Sequence, residues 1–473
     1  MIKTKIICTV GPATDDEGVL SQMMKSGMNV ARFNFSHGDH ESHRKRFEKV
    51  VSAREKLKLP IATMLDTKGP EVRLGTFRGG KSVTLNAGDE YTLTSRDVEG
   101  DEKQCSVSFK ELPLDLKRGD MLLINDGLVS MRVSDIEGTD IRCKVIDGGV
   151  LSDRKGVNVP GVVLSMPYLS ENDMSDLEFG AKLGFDFIAA SFVRSAADVD
   201  YLRKFTNSVG FHNVRIIAKI ENMSGVNNID EIIEASDGIM VARGDMGVEI
   251  PFELIPSIQK KLIRKAYTAG KQVITATQML ESMVNNPRPT RAEITDVANA
   301  IYDGTSAIML SGETASGKHP VEAVKTMARI AEQTESDIDY ITNFSTLAPE
   351  FDKGITNAIS HATVQAAHDL GAKAIITVTK SGSTARMISK HRPQSMIIGC
   401  TTDSRVCRQM NMSWGVLPLM CEEKNNSDEL FSHAVDVTQK AGIVKSGDIV
   451  VITAGIPLGV SGTTNMLKVD KIK

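Results

Sequence analysis

The chain has 473 residues, which at roughly 150 residues per domain predicts about three domains. With 41% hydrophobic and 25% charged residues, and only 38 Gly and 15 Pro, fibrous and disordered classes are excluded. Lys and Arg number 56 against 60 Asp and Glu, a net charge of -4, so no global basic surface for nucleic acid is indicated, while local patches for anionic metabolites stay open. No apolar run reaches the roughly 18 residues of a membrane span, and Met1-Ile-Lys-Thr-Lys-Ile-Ile enters a strand-like run without the layout of a signal peptide. Six scattered cysteines without a CxxC pair argue against a zinc cluster or disulfide framework and point to a reducing cytoplasm.

Short apolar runs alternate with longer amphipathic stretches at 5–9, 29–33, 61–65, 185–190, 215–220, 238–242, 272–276 and 306–310. Eight strands separated by helices predict parallel βαβ units closed into a (β/α)8 TIM barrel, an α/β fold. A doubly wound open sheet is the competitor, but eight units fit closure more simply. Barrel active sites sit at the C-terminal ends of the strands, so the residues that follow each strand are the candidates.

The second run leads into Arg32-Phe-Asn34-Phe-Ser36-His37-Gly38, where the two-residue period puts Arg32, Asn34 and Ser36 on one face. The third leads into Asp66-Thr67-Lys68-Gly69-Pro70-Glu71-Val72-Arg73. Asp66 and Thr67 add oxygens beside Asn34 and Ser36, a set suited to a hard monovalent cation and equally readable as a hydrogen-bonded turn. From about 70 to 166 the pattern changes to short alternating segments at 82–85, 91–94, 104–108, 121–124, 129–133 and 141–146, punctuated by turn sequences. This predicts a small all-β domain that leaves the barrel after its third strand, at the active-site face, where it is placed to act as a lid.

Farther along, Lys219 and Glu221 share a face at the end of the fifth run, as a catalytic pair or a structural ion pair. The sixth leads into Arg243-Gly244-Asp245-Met246-Gly247. Glu221 and Asp245 offer two carboxylates, the number usual for a Mg²⁺ completed by water and phosphate oxygens, and the amides around Gly244 at a helix start suit a small carboxylate. The seventh leads into Thr277, an uncharged donor suited either to passing a proton through water or to capping the next helix. Asn286-Pro-Arg288-Pro-Thr290-Arg291-Ala-Glu293 opens a further helix and reads as support and subunit contact.

The segment 342–350 loses periodicity and reads as a linker. Strand-like runs at 374–379, 395–399, 415–419 and 449–453 then predict an α/β domain with its own parallel sheet. The expected division is a barrel from 1–69 and 168–345, an inserted lid of the β-barrel kind at 70–167, and a C-terminal α/β domain at 346–473. Lys219, two carboxylates for a divalent cation, Arg32, Arg73 and a monovalent-cation pocket together suit charge neutralisation during phosphoryl transfer. The sequence has neither a GxxxxGK[ST] loop nor a kinase Gly-rich loop.

Seven segments in order, Cys8-Thr-Val-Gly-Pro12, Arg32-Phe-Asn-Phe-Ser-His-Gly38, Leu65-Asp-Thr-Lys-Gly-Pro-Glu-Val-Arg73, Lys155-Gly-Val-Asn-Val-Pro-Gly161, Ile217-Ala-Lys-Ile-Glu-Asn222, Met240-Val-Ala-Arg-Gly-Asp-Met-Gly247 and Thr275-Ala-Thr-Gln-Met-Leu-Glu-Ser282, resemble the pyruvate kinase family over essentially the whole length. The resemblance implies transfer of phosphate from phosphoenolpyruvate to ADP, giving pyruvate and ATP in the last step of glycolysis. It further implies a mobile lid, a C-terminal regulatory domain, a cytoplasmic homotetramer, and no nucleic-acid or membrane partner. By position, Lys219 would stabilise the phosphoryl group in flight and the remaining enolate, Glu221 and Asp245 would bind Mg²⁺ (or Mn²⁺), and Asn34, Ser36, Asp66 and Thr67 would hold K⁺. Arg32 and Arg73 would neutralise phosphate. Gly244, Asp245 and Thr277 would seat phosphoenolpyruvate, with Thr277 near the carbon to be protonated. Pro12, Arg32, Asn34, His37, Arg73 and Lys155 would contact the nucleotide. Glu71 resembles the K⁺-requiring members, in contrast to those that place a Lys there.

In the last domain, Thr379-Lys-Ser381-Gly-Ser383-Thr384-Ala-Arg386 runs from strand to helix and offers hydroxyls and amides to a phosphate, or simply caps the helix. It resembles the family's effector loop for a sugar-phosphate or nucleotide, with Ala454 to Asn465 as the other half. The resemblance leads to no expectation of the phosphohistidine-like domain that some bacterial relatives append. Two other functions compete: a pyruvate-handling aldolase with Lys219 as Schiff-base nucleophile, and a catalytically silent metabolite sensor. The nucleotide-contact loop counts against the first, and the filled catalytic positions against the second.

Overall fold

The computed structural model describes residues 2–347, 354–424, 426–456 and 462–473. Eight parallel strands close into a barrel: β1 (Lys5–Thr9), β2 (Met28–Asn34), β3 (Ala62–Asp66), β4 (Phe187–Ala190), β5 (Arg215–Ile220), β6 (Gly238–Ala242), β7 (Gln272–Ala276) and β8 (Ala307–Leu310). Each strand pairs with its sequence neighbours, and β8 returns to β1. These runs become strands because their aliphatic residues are buried on both faces: one set fills the barrel and the other packs under the helices. Ile7, Val30, Met64, Phe187, Ile217, Met240 and Ile274 belong to the interior layer, which Met412 of the C-terminal region joins. Capping boxes start the helices His40–Leu57, Glu171–Leu183 and Arg291–Tyr302, at Asp39, Ser170 and Thr290.

Between β3 and β4 lies a seven-stranded sheet in the order Val72–Arg73, Gly156–Asn158, Met121–Ile124, Val129–Glu137, Asp140–Asp147, Glu90–Thr94, Gln104–Ser106, with a two-stranded ribbon of Val83–Leu85 and Gly149–Leu151 beside it. An antiparallel bridge between Leu74 and Val107 joins its two edges and curls it into a barrel around its own core. Val72–Arg73, Gly149–Leu151 and Gly156–Asn158 escape pattern reading, since each exists through the strand it pairs with.

The C-terminal sheet has β9 (Ala374–Val378), β10 (Met396–Thr401), β11 (Val416–Met420), β12 (Ile449–Gly455) and β13 (Thr464–Lys471) in the order β11-β10-β9-β12-β13. The sheet is not wholly parallel: β13 runs antiparallel to β12. Its alternating Lys468, Asp470 and exposed neighbours hide an edge strand from a search for apolar runs. Nor is 342–347 an extended linker. It continues a helix, Tyr340–Leu347, which Asp339 starts by accepting from the Thr342 N–H and hydroxyl (3.0 and 2.7 Å) and which Phe344 anchors by stacking on His361. Residues 348–350 of that segment, and 457–461 of the expected second effector segment, lie outside the described residues. Among the described residues no helix is long and apolar enough to cross a membrane, and all six cysteines are buried thiols.

Candidate active site

The barrel strands deliver charge to one point. In the β2–β3 register Asn34 sits opposite Asp66, and Arg32 reaches across, its Nε 2.6 Å from Asp66 Oδ2 and its Nη1 2.8 Å from Thr9 Oγ1. From β5 the Lys219 Nζ lies 3.1 Å from Asp66 Oδ1 and 3.0 Å from Glu221 Oε1, and donates to Ser191 Oγ at 2.8 Å. Asp66, Lys219 and Glu221 are buried. Burial alone would raise the Asp66 pKa, but the charges of Arg32 and Lys219 outweigh it and hold the carboxyl below its usual range. Burial likewise disfavours the Lys219 ammonium, yet Asp66, Glu221 and Asp245 together raise its pKa above the ordinary lysine value. Lys219 is therefore a fixed cation, which removes the neutral amine that a Schiff-base aldolase needs.

Glu221 is the group out of balance. Burial, with Asp245 adding to it, pushes its carboxyl up to about 8 against the pull of Lys219. Its Oε2 accepts from the Phe192 N–H at 2.6 Å, while its buried Oε1 has no hydrogen bond and only the ion-pair approach of Lys219. With Glu221 ionised, three carboxylates (Asp66, Glu221, Asp245) would face two cations (Arg32, Lys219), one negative charge in excess, and its raised pKa reflects that excess together with burial. A divalent cation fits that excess and the orphaned oxygen. Among the described residues no cluster of three or more His, Cys, Asp or Glu side chains could hold a metal alone, so such an ion needs substrate and water oxygens, as Mg²⁺ prefers.

Asp245 lies in the first turn of the helix Arg243–Glu249, which begins directly after β6. Thr277 follows β7 with a left-handed backbone, φ 70°, as does Gln278 at 53°. Two successive non-glycine residues there are strained and need a clamp. Arg243 is that clamp: it donates to the Ala276 and Thr277 carbonyls (3.2 and 2.7 Å) and pairs with Asp296 at 2.6 Å. The Thr277 hydroxyl is thereby held 2.8 Å from the Gly244 N–H.

A cleft of ≈ 540 Å³ opens above these groups between barrel and insert, lined among others by Arg32, Asn34, Ser36, His37, Lys219 and Asp245 and, from the insert, by Arg73 and Lys155. Asp66, Thr67 and Glu221 lie beneath its floor, and Gly244 and Thr277 beside it. Pro12 is exposed in the turn after β1 and does not line the cleft. Arg73 is occupied: Glu71 accepts from its Nε and Nη2 at 2.9 and 2.6 Å. The insert also touches the barrel through Asn158, which donates to Glu249 Oε1 at 2.8 Å.

Sequence reading missed Ser191 and Arg243 as site residues. Ser191 immediately follows β4, so the strand-end rule applied there would have found it; it ties Lys219 to the Thr67 carbonyl through a 2.6 Å bond. Gly69 explains why this corner needs glycine: at φ 77° a Cβ would lie 2.8 Å from Ser191 Cβ.

In the C-terminal domain, Thr379 and Ser381 lie between β9 and the helix Ser383–Lys390, whose first two residues are Ser383 and Thr384. Thr379 and Thr384 are buried, and the Thr384 hydroxyl accepts from Thr464 at 3.0 Å. The Ser381 carbonyl accepts from Arg386 and from Arg215, the first residue of β5, both at 3.1 Å.

The chain matches the family model of the pyruvate kinase barrel domain over residues 1–324 and that of the pyruvate kinase alpha/beta domain over 357–470. It is 51% identical to a pyruvate kinase of Clostridium acetobutylicum over 474 residues, covering 100% of both chains. It is 48% identical to one of Geobacillus stearothermophilus over 472 residues, covering 99% of this chain and 80% of that one. A crystal structure of a pyruvate kinase from Cryptosporidium parvum, 40% identical, superposes with a TM-score of 0.95 over 100% of this chain and 96% of that chain. Two domain models that together span most of the sequence, full-length relatives and a solved structure that superposes over the whole chain lead to one conclusion: the chain belongs to the pyruvate kinase family.

Proposed function

We propose that this cleft transfers the phosphoryl group of phosphoenolpyruvate to ADP and that the residues above act in the roles their positions imply. The observation that carries the reading is Lys219, a buried ammonium fixed by Asp66, Glu221 and Ser191 at the floor of a cleft open to substrate. A fixed cation suits charge that moves from the phosphate ester to the enolate oxygen, because it needs no reorganisation as the bond breaks. Arg32 adds a second cation beside it, and Arg73 a third once it exchanges Glu71 for a phosphate. The Gly244 N–H, on exchanging Thr277 Oγ1 for substrate, and the amides at the start of the helix Arg243–Glu249 seat the substrate carboxylate. Thr277 hands a proton toward the substrate carbon, and the clamped turn sets its direction.

Glu221 and Asp245 hold Mg²⁺ (or Mn²⁺), and Asn34, Ser36, Asp66 and Thr67 hold K⁺. When bound, the divalent ion supplies a Lewis acid against phosphoryl and carboxylate oxygens. Pro12, Arg32, Asn34, His37, Arg73 and Lys155 contact the nucleotide, so an insert swinging on its two connections completes that site. The domain division runs at 1–69 with 168–345, 70–167, and 346–473. Thr379, Ser381, Ser383 and Thr384 take a phosphorylated effector, and the working form is a cytoplasmic homotetramer.

The test is a lactate-dehydrogenase-coupled assay with phosphoenolpyruvate, ADP, Mg²⁺ and K⁺. Lys219→Met is expected to lower kcat by on the order of 10³-fold or more. Equal rates for the two proteins would refute the assignment. Given Glu71, activity collapses when Na⁺ replaces K⁺; full activity without K⁺ would remove Asn34, Ser36, Asp66 and Thr67 from that role.

A further inference from the structure

The insert returns to the barrel through residues 159–170, an irregular stretch between the strand Gly156–Asn158 and the helix Glu171–Leu183. In its middle, three residues belong to both bodies at once. The side chains of Leu164 and Met166 pack against the core of the insert, and the Ser165 N–H and hydroxyl donate to Asp115 Oδ2 of the insert at 2.7 and 3.0 Å. The carbonyls of Leu164 and Met166, however, accept from Arg194 Nη1 of the barrel at 3.0 and 3.4 Å. Any turn of the insert draws those carbonyls away from the guanidinium, because their side chains travel with the insert.

Arg194 is itself fixed. Its Nε and Nη2 donate to the two oxygens of Asp198 at 3.1 and 3.0 Å, its backbone N–H donates to Asp198 Oδ2 at 2.9 Å, and its carbonyl accepts from Asn228 at 2.9 Å. That fork leaves Nη1 aimed at the two carbonyls, a geometry that a lysine ammonium cannot reproduce. The other connection of the insert is tied at Gly69, whose N–H donates to the buried Asp173 at 3.1 Å. Beside the clamp, a groove of ≈ 350 Å³ between residues 163–166 and Ser195, Ser224 and Asn228 gives the segment room to turn.

We infer that Arg194 is a positioning residue for the nucleotide: by holding the Leu164 and Met166 carbonyls it sets the angle of the insert and so the place of Arg73 and Lys155, a role that rests on the nucleotide contacts proposed above for those two. Both line the cleft from the insert, and the strand that follows Lys155 pairs with Val72–Arg73, so the two cations move as one unit. With the clamp intact, the insert is held at the angle that presents them. Without it the competent fraction falls, and the apparent affinity for nucleotide falls in the same proportion. Saturating nucleotide restores that fraction, so kcat is nearly kept. A part played only in stability would lower the thermal midpoint and leave KM alone.

Calorimetric titration of the intact protein with ADP and Mg²⁺, beside the coupled assay, tests this. Arg194→Lys keeps the charge but cannot serve Asp198 and two carbonyls at once. It should weaken ADP binding and raise the KM for ADP by about tenfold, with kcat kept within about threefold and a smaller change in the KM for phosphoenolpyruvate, which sits on barrel groups. Asp115→Ala, which loosens the same segment from the insert's side, should raise the KM for ADP several-fold, and it decides the matter if Arg194→Lys does not fold. The double variant should fall short of the product of the two effects, since either change frees the one segment. Unchanged ADP affinity in a folded single variant, equal rises in both KM values, or a double variant that reaches the full product overturns the role. Failure of the natural chain to bind ADP overturns the nucleotide reading and this role with it, an outcome distinct from ADP binding that Arg194→Lys leaves intact.

Discussion

At the scale of single residues, the molecule separates groups that carry charge from groups that hold them still. Lys219, Asp66 and Glu221 carry it; Ser191 and Arg243 hold. Arg243 touches carbonyls rather than the cleft, so Arg243→Lys, which cannot span both carbonyls and Asp296 at once, should release the Thr277 turn. A displacement of about 1 Å costs about 10²-fold. We expect kcat in the coupled assay to fall by that order with little change in thermal midpoint, and an unchanged kcat would deny Arg243 its positioning role. His391 makes a different prediction. Burial above all, then Lys390 and His361, pushes its pKa to about 3, while in the unfolded chain it titrates near 6.5. Below 6.5 the unfolded state takes up a proton that the folded state refuses. The stabilisation is therefore complete above pH 6.5 and declines toward pH 3, by roughly 1 kcal/mol per pH unit. Urea midpoints at pH 7 and 5.5 should show this loss in the natural chain and less of it in His391→Asn.

At the scale of elements, the eight barrel strands were legible because their residues are buried on both faces, which leaves continuous apolar runs. Runs of this kind begin within two residues of the observed strands, and four of them coincide with Lys5–Thr9, Arg215–Ile220, Gly238–Ala242 and Gln272–Ala276. Elements whose reason is tertiary were not legible. Gly156–Asn158 exists because Met121–Ile124 and Val72–Arg73 flank it, and β13 because β12 offers it an edge. The site divides the same way: charged and hydroxyl groups at strand ends could be placed from position, whereas Arg243 works through carbonyls that only the folded β7 turn presents. The stretch from Asn286 to Glu293, read as support, acts through one capping box. Thr290 caps Arg291–Tyr302, and Glu293 reaches back to the Ser282 N–H and hydroxyl at 2.7 and 2.6 Å, tying the post-β7 loop to the helix. Thr290→Ala should cost about 1 kcal/mol in denaturant unfolding. A neutral result would mean that Glu293 alone secures the helix start.

At the scale of the whole molecule, the barrel is joined to its C-terminal domain by polar bonds at named points. Asp186, buried beside β4, accepts from the Thr63 N–H at 2.9 Å and from Arg408 at 2.9 and 3.1 Å. Arg215 ties the foot of β5 to the Ser381 carbonyl, while Lys219 stands on the same strand. The strand that carries the central cation thus begins at a residue hydrogen-bonded to the segment proposed for the effector.

The insert touches its own two ends: Val72–Arg73 pairs with Gly156–Val157, so the chain leaves and re-enters the barrel at nearly the same place. For the folding chain this seam works as a splint. Residues 66 and 189 must meet when β3 and β4 pair, and an insert that has already folded shortens the effective loop between them roughly threefold, lowering the closure cost by about 1 kcal/mol. Weakening the seam with Val157→Asp should therefore slow barrel refolding in stopped-flow experiments several-fold while leaving its unfolding rate nearly unchanged. Equal refolding rates would show that the barrel closes without that help. A domain proposed above to cover substrate in the finished protein would be, during its making, the clip that lets the barrel find its own circumference.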